Sequence, residues 1–244
     1  KLTRLLDQVL RQHSAPDTMK NFANVDFQKV FSTDHSRHYS LKDADYGMCG
    51  GRKYYKPTGW KRFALNVLDY DKKYKDWCVA YHGTKSKHAV NILLRGLKPP
   101  GSDGVKVEHG QAGANGQPTI YCSPSIEYAA HPVYSQLFKL AEDHWGQVVM
   151  QCRVRPGSFK EQGNTLGQSH WPRKVCFDKN FPNNDCMEWL LTDSSDIVVV
   201  GLMIREFGSL ASADDYGDLA TQVRADGDTR GPEYHWMSFA QQST

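Results

Sequence analysis

The stretch "WCVAYHGTKSKHAVNILLRGLKPPG", residues 77 to 101, constrains this chain most. An apolar run from Cys78 to Tyr81 predicts a strand that ends in a His-Gly-Thr turn. Beyond the turn, Ala89, Ile92, Leu93 and Leu97 recur at helical spacing, which predicts an amphipathic helix. Gly96 stands where a C-cap glycine belongs, and Pro99 and Pro100 prevent the helix from continuing. His82 sits where strand gives way to turn. A polar side chain there either closes the turn or meets a ligand.

The flanking sequence extends the pattern. Leu2, Leu5, Leu6, Val9 and Leu10 predict a first amphipathic helix. Residues 14–60 are polar and rich in turn formers, and are expected to be irregular. "WKRFALNV" predicts a strand or short buried segment, and the glycine-dense "PGSDGVKVEHGQAGANGQP" a long loop of the kind that lines binding sites. "TIYCS" predicts a short strand, and "SIEYAAHPVYSQLFKLAEDH" a helix interrupted near Pro132. "GQVVMQCRVRPG" reads as a buried strand, and "CMEWLLTDSSDIVVVGLMIREF" as two strands joined by an Asp-Ser-Ser-Asp turn. After Phe207 the chain becomes turn-rich. The order predicts an α+β fold rather than a doubly wound sheet. Neither GxGxxG after a strand nor GxxxxGK[ST] occurs, so neither familiar phosphate loop is in use. The expected organisation is an N-terminal extension (1–59), a catalytic domain (60–207) and a C-terminal extension (208–244).

Composition narrows the class. Hydrophobic residues at 39% suffice for a real core, while a mean hydropathy of −0.62 predicts a soluble protein with no membrane partner. Thirty basic against 27 acidic residues is too even a balance to argue for a nucleic-acid surface. The six cysteines form no CxxC pair, which disfavours a zinc site or a disulfide framework and predicts free thiols in an intracellular compartment, cytoplasm or nucleus. A first residue that is Lys1 suggests a piece of a longer multidomain chain.

Polar residues stand at several strand ends: His82, Tyr121, Ser125, Tyr128 and Glu188. Glu188 is the most informative, because a carboxylate opening the run Trp189-Leu190-Leu191 is costly to bury unless it has partners or a task. In "YHGT...AVNILLRGL", "IYCSPSIEY" and "MEWLLTDSSDIVVVGLMI", over residues 76 to 205, the chain resembles the catalytic domain of the poly(ADP-ribose) polymerases, ADP-ribosyltransferases with a His-Tyr-Glu triad. The resemblance implies a mostly antiparallel split β-sheet flanked by helices, NAD as co-substrate and no metal. It implies catalytic roles for Glu188, His82 and Tyr121, and a donor site formed by His82, Gly83, Thr84, Tyr121, Ser125 and Tyr128. His82 would bond the adenosine ribose, and Gly83 and Ser125 the nicotinamide carboxamide. Tyr121 and Tyr128 would enclose the ring. The sequence departs from the family at "GQPT" before Ile120, at Pro124 and at Tyr81. No segment resembles the helical regulatory domain of the DNA-responsive members.

The implied function is transfer of ADP-ribose to a protein or nucleic-acid acceptor with release of nicotinamide, mono-transfer being favoured. The alternative is a catalytically inactive interaction module on the same fold. An RNA 2′-phosphotransferase needs arginines around a phosphate, where these segments supply a glutamate and tyrosines. Plainer readings accompany each residue. His82 closes a turn, Tyr128 is core like Tyr134 and Phe138, and Glu188 pairs with Arg153 or Lys174. His35, His38 and Cys49 suggest a metal only loosely, and His109 reads as a solvated loop residue.

Overall fold

A computed structural model describes residues 2–12, 26–40, 46–101, 117–131, 134–142, 144–165, 177–181 and 185–207. Most of the glycine-dense loop with His109, and also Pro132, Trp171, Lys174, Cys176 and residues 208–244, lie outside the described residues. The elements run α1 (Leu2–Gln12), α2 (Phe27–Val30), β1 (Phe31–His38), β2 (Tyr46–Cys49), β3 (Arg52–Tyr55), β4 (Lys61–Leu65), α3 (Tyr70–Lys73), β5 (Cys78–Gly83) and α4 (Ser86–Arg95). There follow β6 (Ile120–Cys122), α5 (Ile126–Ala129), β7 (Phe138–Ala141), β8 (His144–Val154), β9 (Lys160–Gln162), β10 (Glu188–Leu191), a 3₁₀ turn (Ser194–Asp196) and β11 (Ile197–Phe207). The class is α+β with antiparallel sheets, as expected.

Two long strands, β8 and β11, form the spine. Their β-branched and apolar runs, Val148-Val149-Met150 and Val198-Val199-Val200, suit a strand buried on both faces. Around them the main sheet orders β1-β4-β11-β8-β5, with β7 also on β8. A second sheet orders β6-β10-β9, and β2-β3 is a separate hairpin. The second sheet meets the main one at a single antiparallel bridge, where Tyr81 N–H donates to Ser123 O at 2.7 Å and Ser123 N–H to Tyr81 O at 2.8 Å. The Asp-Ser-Ser-Asp turn carries the chain across, because β10 belongs to the small sheet and β11 to the large one.

Strand alternation makes two cores. Cys78, Ala80, Met150, Cys152, Leu202 and Ile204 face one side, where α1 (Leu6, Val9, Leu10) and α4 (Ala89, Val90) cover them. Val79, Tyr81, Val149 and Met203 face the other, against Tyr39, Trp60 and the α5 residues Ile126 and Ala129. The helix α4 ends as its sequence predicts: Gly96 adopts φ 73° and its N–H closes on Ile92 O. Cys49, Cys78, Cys122, Cys152 and Cys186 are free thiols.

Two local expectations fail. Among the described residues, the segment after Ala130 is not helical. Residues 138–141 form β7, with Phe138 and Leu140 buried and Lys139 and Ala141 exposed. That period of two is too short to outweigh a helical reading in sequence, and the free edge of β8 decides it by supplying the hydrogen bonds. Residues 14–60, expected irregular, contribute three strands among their described residues, and β1 pairs with β4 in the main sheet.

Candidate active site

Pairing register assembles the site. On β10, Trp189 and Leu191 point into the first core, so Glu188 and Leu190 point to the opposite face of the small sheet. Tyr121 pairs with Leu190 and Gln162 pairs with Glu188, so both side chains share the Glu188 face. Met187 before it is fully buried, and Glu188 itself is only 2% exposed.

A buried carboxylate needs donors, and this one has five. Oε1 accepts from the Tyr128 hydroxyl at 2.5 Å, Thr165 Oγ1 at 2.7 Å, Thr165 N–H at 3.2 Å and the Tyr134 hydroxyl at 3.4 Å. Among the described residues Oε2 accepts only from Gln162 Nε2, at 2.6 Å. All are neutral groups. Arg153, one of the two expected structural partners, instead donates to Trp77 O and Cys49 Sγ, and the other, Lys174, lies outside the described residues. With two oxygens offering about four lone-pair sites, the crowded Oε1 is committed to the protein, and Oε2 keeps acceptor capacity for something else.

The tyrosines are held as donors. Burial pushes the Tyr128 hydroxyl well up from its ordinary range, with the Tyr134 and Glu188 charges adding to it. Burial raises Tyr134 in the same way, and Tyr121 too, with Glu188 contributing to both. Tyr128 is therefore not a free aromatic wall. Its ring is buried, edge-on to Phe177 and tilted against Tyr134, and its hydroxyl is spent on Glu188. Tyr121 is half-exposed.

His82 is half-buried, and its Nδ1 lies 2.7 Å from Tyr121 O. A carbonyl oxygen only accepts, so Nδ1 carries the proton and Nε2 of the neutral ring is an acceptor. Burial lowers the His82 pKa, against the opposing pull of that carbonyl. No hydrogen bond or ion pair joins the imidazole to Glu188; the link between them runs through the backbone of Tyr121. Thr84 is buried and its hydroxyl donates to Lys85 O at 3.4 Å, away from the carboxylate.

Packing alone requires the glycine at Gly83. A Cβ there would collide with Ala129 O and lie 2.6 Å from Tyr134 Cβ, so the glycine lets β5 seat against the α5 turn. Ser125 caps that turn: its Oγ accepts from Tyr128 N–H at 3.1 Å and donates to Asp178 Oδ2 at 2.6 Å. Burial pushes the Asp178 carboxyl up, while its bonds to Ser125 and Asn180 pull the other way.

The structure thus brings Glu188, Tyr128, Tyr121, Gly83 and Ser125 into one connected group and attaches His82 at its edge. Sequence reasoning missed Gln162, Thr165 and Asp178, and assigned Tyr134 to the core. Gln162 lies on a three-residue strand too short for periodicity, although the Pro156-Gly157 turn before it signals a reversal. The others sit in coil, where no pattern marks them. Among the described residues no group of three or more His, Cys, Asp or Glu is arranged to hold a metal, and no helix is long and apolar enough to cross a membrane. No protein-family model matches the chain.

Proposed function

We propose that the chain is an NAD-dependent ADP-ribosyltransferase of the His-Tyr-Glu type, delivering single ADP-ribose units to a protein or nucleic-acid acceptor and releasing nicotinamide. One observation carries the reading: Glu188 is a deeply buried carboxylate whose donors among the described residues are all neutral, on the same sheet face as Tyr121, with Oε2 not fully engaged. Two antiparallel sheets touching at one bridge are consistent with the split-sheet fold this activity uses.

In the reaction the bond from the nicotinamide nitrogen to ribose C1′ breaks, and its electron pair leaves with the ring. An acceptor oxygen or nitrogen bonds to C1′ and gives up its proton. Positive charge builds on the ribose between these events, as in glycoside cleavage. Glu188 Oε2 accepts a hydrogen bond from a ribose hydroxyl and stabilises that charge from a site shielded from water. Five neutral donors hold the carboxylate in place without neutralising it, so its field is available to the developing cation. The ring face of Tyr121 packs on the nicotinamide. His82 Nε2, bare because Nδ1 faces the Tyr121 carbonyl, accepts from the adenosine ribose. The free thiols, three of them buried, support an intracellular setting, cytoplasm or nucleus.

Incubation with labelled NAD and a panel of protein and nucleic-acid acceptors, read by mass spectrometry, tests the proposal. Covalent ADP-ribose on an acceptor or on the chain itself is the expected result. Neither label nor nicotinamide release in any arm sinks it.

A second reading has its own support. The Ser125 hydroxyl is given to Asp178 and the Tyr128 hydroxyl to Glu188, so two groups expected to face the nicotinamide are engaged inside the protein. These contacts favour an inactive interaction module on the same fold. Calorimetry with a non-hydrolysable NAD analogue separates the two readings. Saturable heat supports the transferase, and its absence the module.

A further inference from the structure

A second group of charges gathers along β5 from the candidate active site. There a cavity of about 690 Å³ is lined by residues of β1, β4, β5 and β8 and by the turn that leads into α3. Val79 lines it, whereas Gly83 of the candidate site lies four residues on, about 13 Å at the strand rise. The buried Tyr81 stands between them. None of the seven candidate active-site residues lines this cavity.

Its walls are basic. His35, Arg37, Lys56, Arg62, Lys72 and Arg153 face it, against two acids, Asp69 and Asp71. Asp69 pairs with Lys73, outside the cavity lining. Among the described residues, Arg37, Arg62 and Arg153 make no ion pair with any carboxylate.

Arg62 is the informative member. Its Nε is shut from solvent and has no hydrogen-bond partner, and Nη1 reaches only the carbonyl of His35, at 3.3 Å. Burial lowers its pKa, and the charges of Arg37 and Arg153 press the same way, with Tyr39 and Tyr70 opposing. The fold makes room for this costly placement. β11 is irregular between Val199 and Gly201, and a Cβ at Gly201 would come within 3.3 Å of Arg62 Nε. Arg205, on the same sheet, shows how the chain otherwise settles a buried guanidinium. It bonds both oxygens of Glu127, at 3.1 and 2.9 Å, bonds Gln147 at 3.0 Å and lies over the Trp60 ring. Arg62 has no such set among the described residues, and because it lines the cavity its remaining N–H groups are placed to meet an acceptor from outside.

The remaining wall is aromatic and apolar. Tyr54, Tyr70, Val67 and Leu68 line it, and Leu68 is 84% exposed. Arg153 lies over the Tyr70 ring and Arg37 over Tyr39, each 5.7 Å from the centroid. Inorganic phosphate alone would leave most of this space empty, whereas volumes of a few hundred Å³ and above suit small organic ligands. We propose that the cavity binds an organic phosphate of nucleoside-diphosphate size, with its phosphates on Arg62, Arg37 and Arg153 and its flat portion against Tyr54 and Tyr70.

Titration calorimetry on the full chain with ADP, inorganic pyrophosphate and adenosine, at about 0.15 M salt, tests this. ADP is expected to bind saturably, pyrophosphate more weakly and adenosine not at all. Arg62→Lys keeps the charge but loses the planar fork, and Arg37→Gln alters an exposed position that folding tolerates. Each is expected to weaken ADP about tenfold or more, while His82→Ala and Glu188→Gln leave it unchanged. Absence of saturable ADP binding overturns the proposal, as does ADP affinity untouched by Arg37→Gln. ADP binding lost in His82→Ala assigns the heat to the candidate active site and overturns it too. Pyrophosphate or adenosine binding as tightly as ADP overturns the two-part ligand.

Discussion

Glu188 and Arg62 each place charge out of solvent on this fold, but their surroundings differ. Around Glu188 the chain gathers two tyrosine hydroxyls, a glutamine amide, a threonine hydroxyl and a backbone N–H. Around Arg62 it offers one carbonyl and leaves Nε–H without an acceptor. Neutral dipoles solvate a charge without cancelling it, so Glu188 is stable as it stands and still projects a negative field. Arg62 is not fully solvated by its own chain. The first arrangement is what a reacting carboxylate requires before substrate arrives, and the second is what a ligand site looks like without its ligand. His131 shows a third solution: fully buried, it is held neutral, with burial driving its pKa down to about 3.

At neutral pH, truncation at the first site has the largest expected effect on stability. Glu188→Leu leaves the buried Tyr128 hydroxyl with only the long contact to Tyr134 and the half-buried Gln162 amide without its acceptor, at about 1–3 kcal/mol each, so a loss of about 3 kcal/mol is expected in urea unfolding. A loss below about 1 kcal/mol would mean that the donors relax to water and that the carboxylate is not held as described.

The buried imidazole comes next. His131 takes up a proton far more readily unfolded, near 6.5, than folded, near 3. Its contribution to stability is therefore complete above about pH 6.5 and falls as pH drops toward 3, by up to about 1.4 kcal/mol per pH unit. His82, lowered by burial, acts with the same sign. Asp178, raised by burial, acts with the opposite sign and offsets part of the loss at the acid end. Unfolding midpoints from pH 7 to 4 are expected to fall steeply in the wild type and less steeply in His131→Gln. Parallel curves would show that this ring does not control acid sensitivity.

The smallest effect sharpens the contrast most. Arg62→Met removes an uncompensated charge and keeps the apolar stem, so stability is expected to hold or rise by about 1 kcal/mol. Marked destabilisation would show that Arg62 is satisfied by its own chain, and the two sites would no longer differ.

The sequence reading reached the part of this site that lies on regular structure. The strand-turn-helix from Cys78 to Arg95, the strands Ile120–Cys122 and Glu188–Leu191, and the turn into Ile197–Phe207 all declare themselves by periodicity and turn chemistry. Register then brings Tyr121 beside Glu188, and no local pattern could state that pairing. At Gly83 a side chain cannot fit because Ala129 and Tyr134 occupy the space, a packing constraint that no local pattern announces. Tyr134 resembles core in sequence; its half-buried ring packs on Tyr128 and His131, and its hydroxyl reaches the carboxylate. The arginine cavity escaped notice because Arg37, Arg62 and Arg153 sit on β1, β4 and β8, far apart in the chain, within a nearly balanced overall charge. Strand pairing alone collects them.

The proposed transfer rests on the Glu188 carboxylate weakening a glycosidic bond. The direct measurement is the rate of nicotinamide release from NAD by the wild type and by Glu188→Gln, each verified as folded and compared at matched NAD saturation. A drop on the order of 10²–10³ with NAD affinity largely kept is the predicted result. Equal rates in the two proteins, or no release from either, would contradict it.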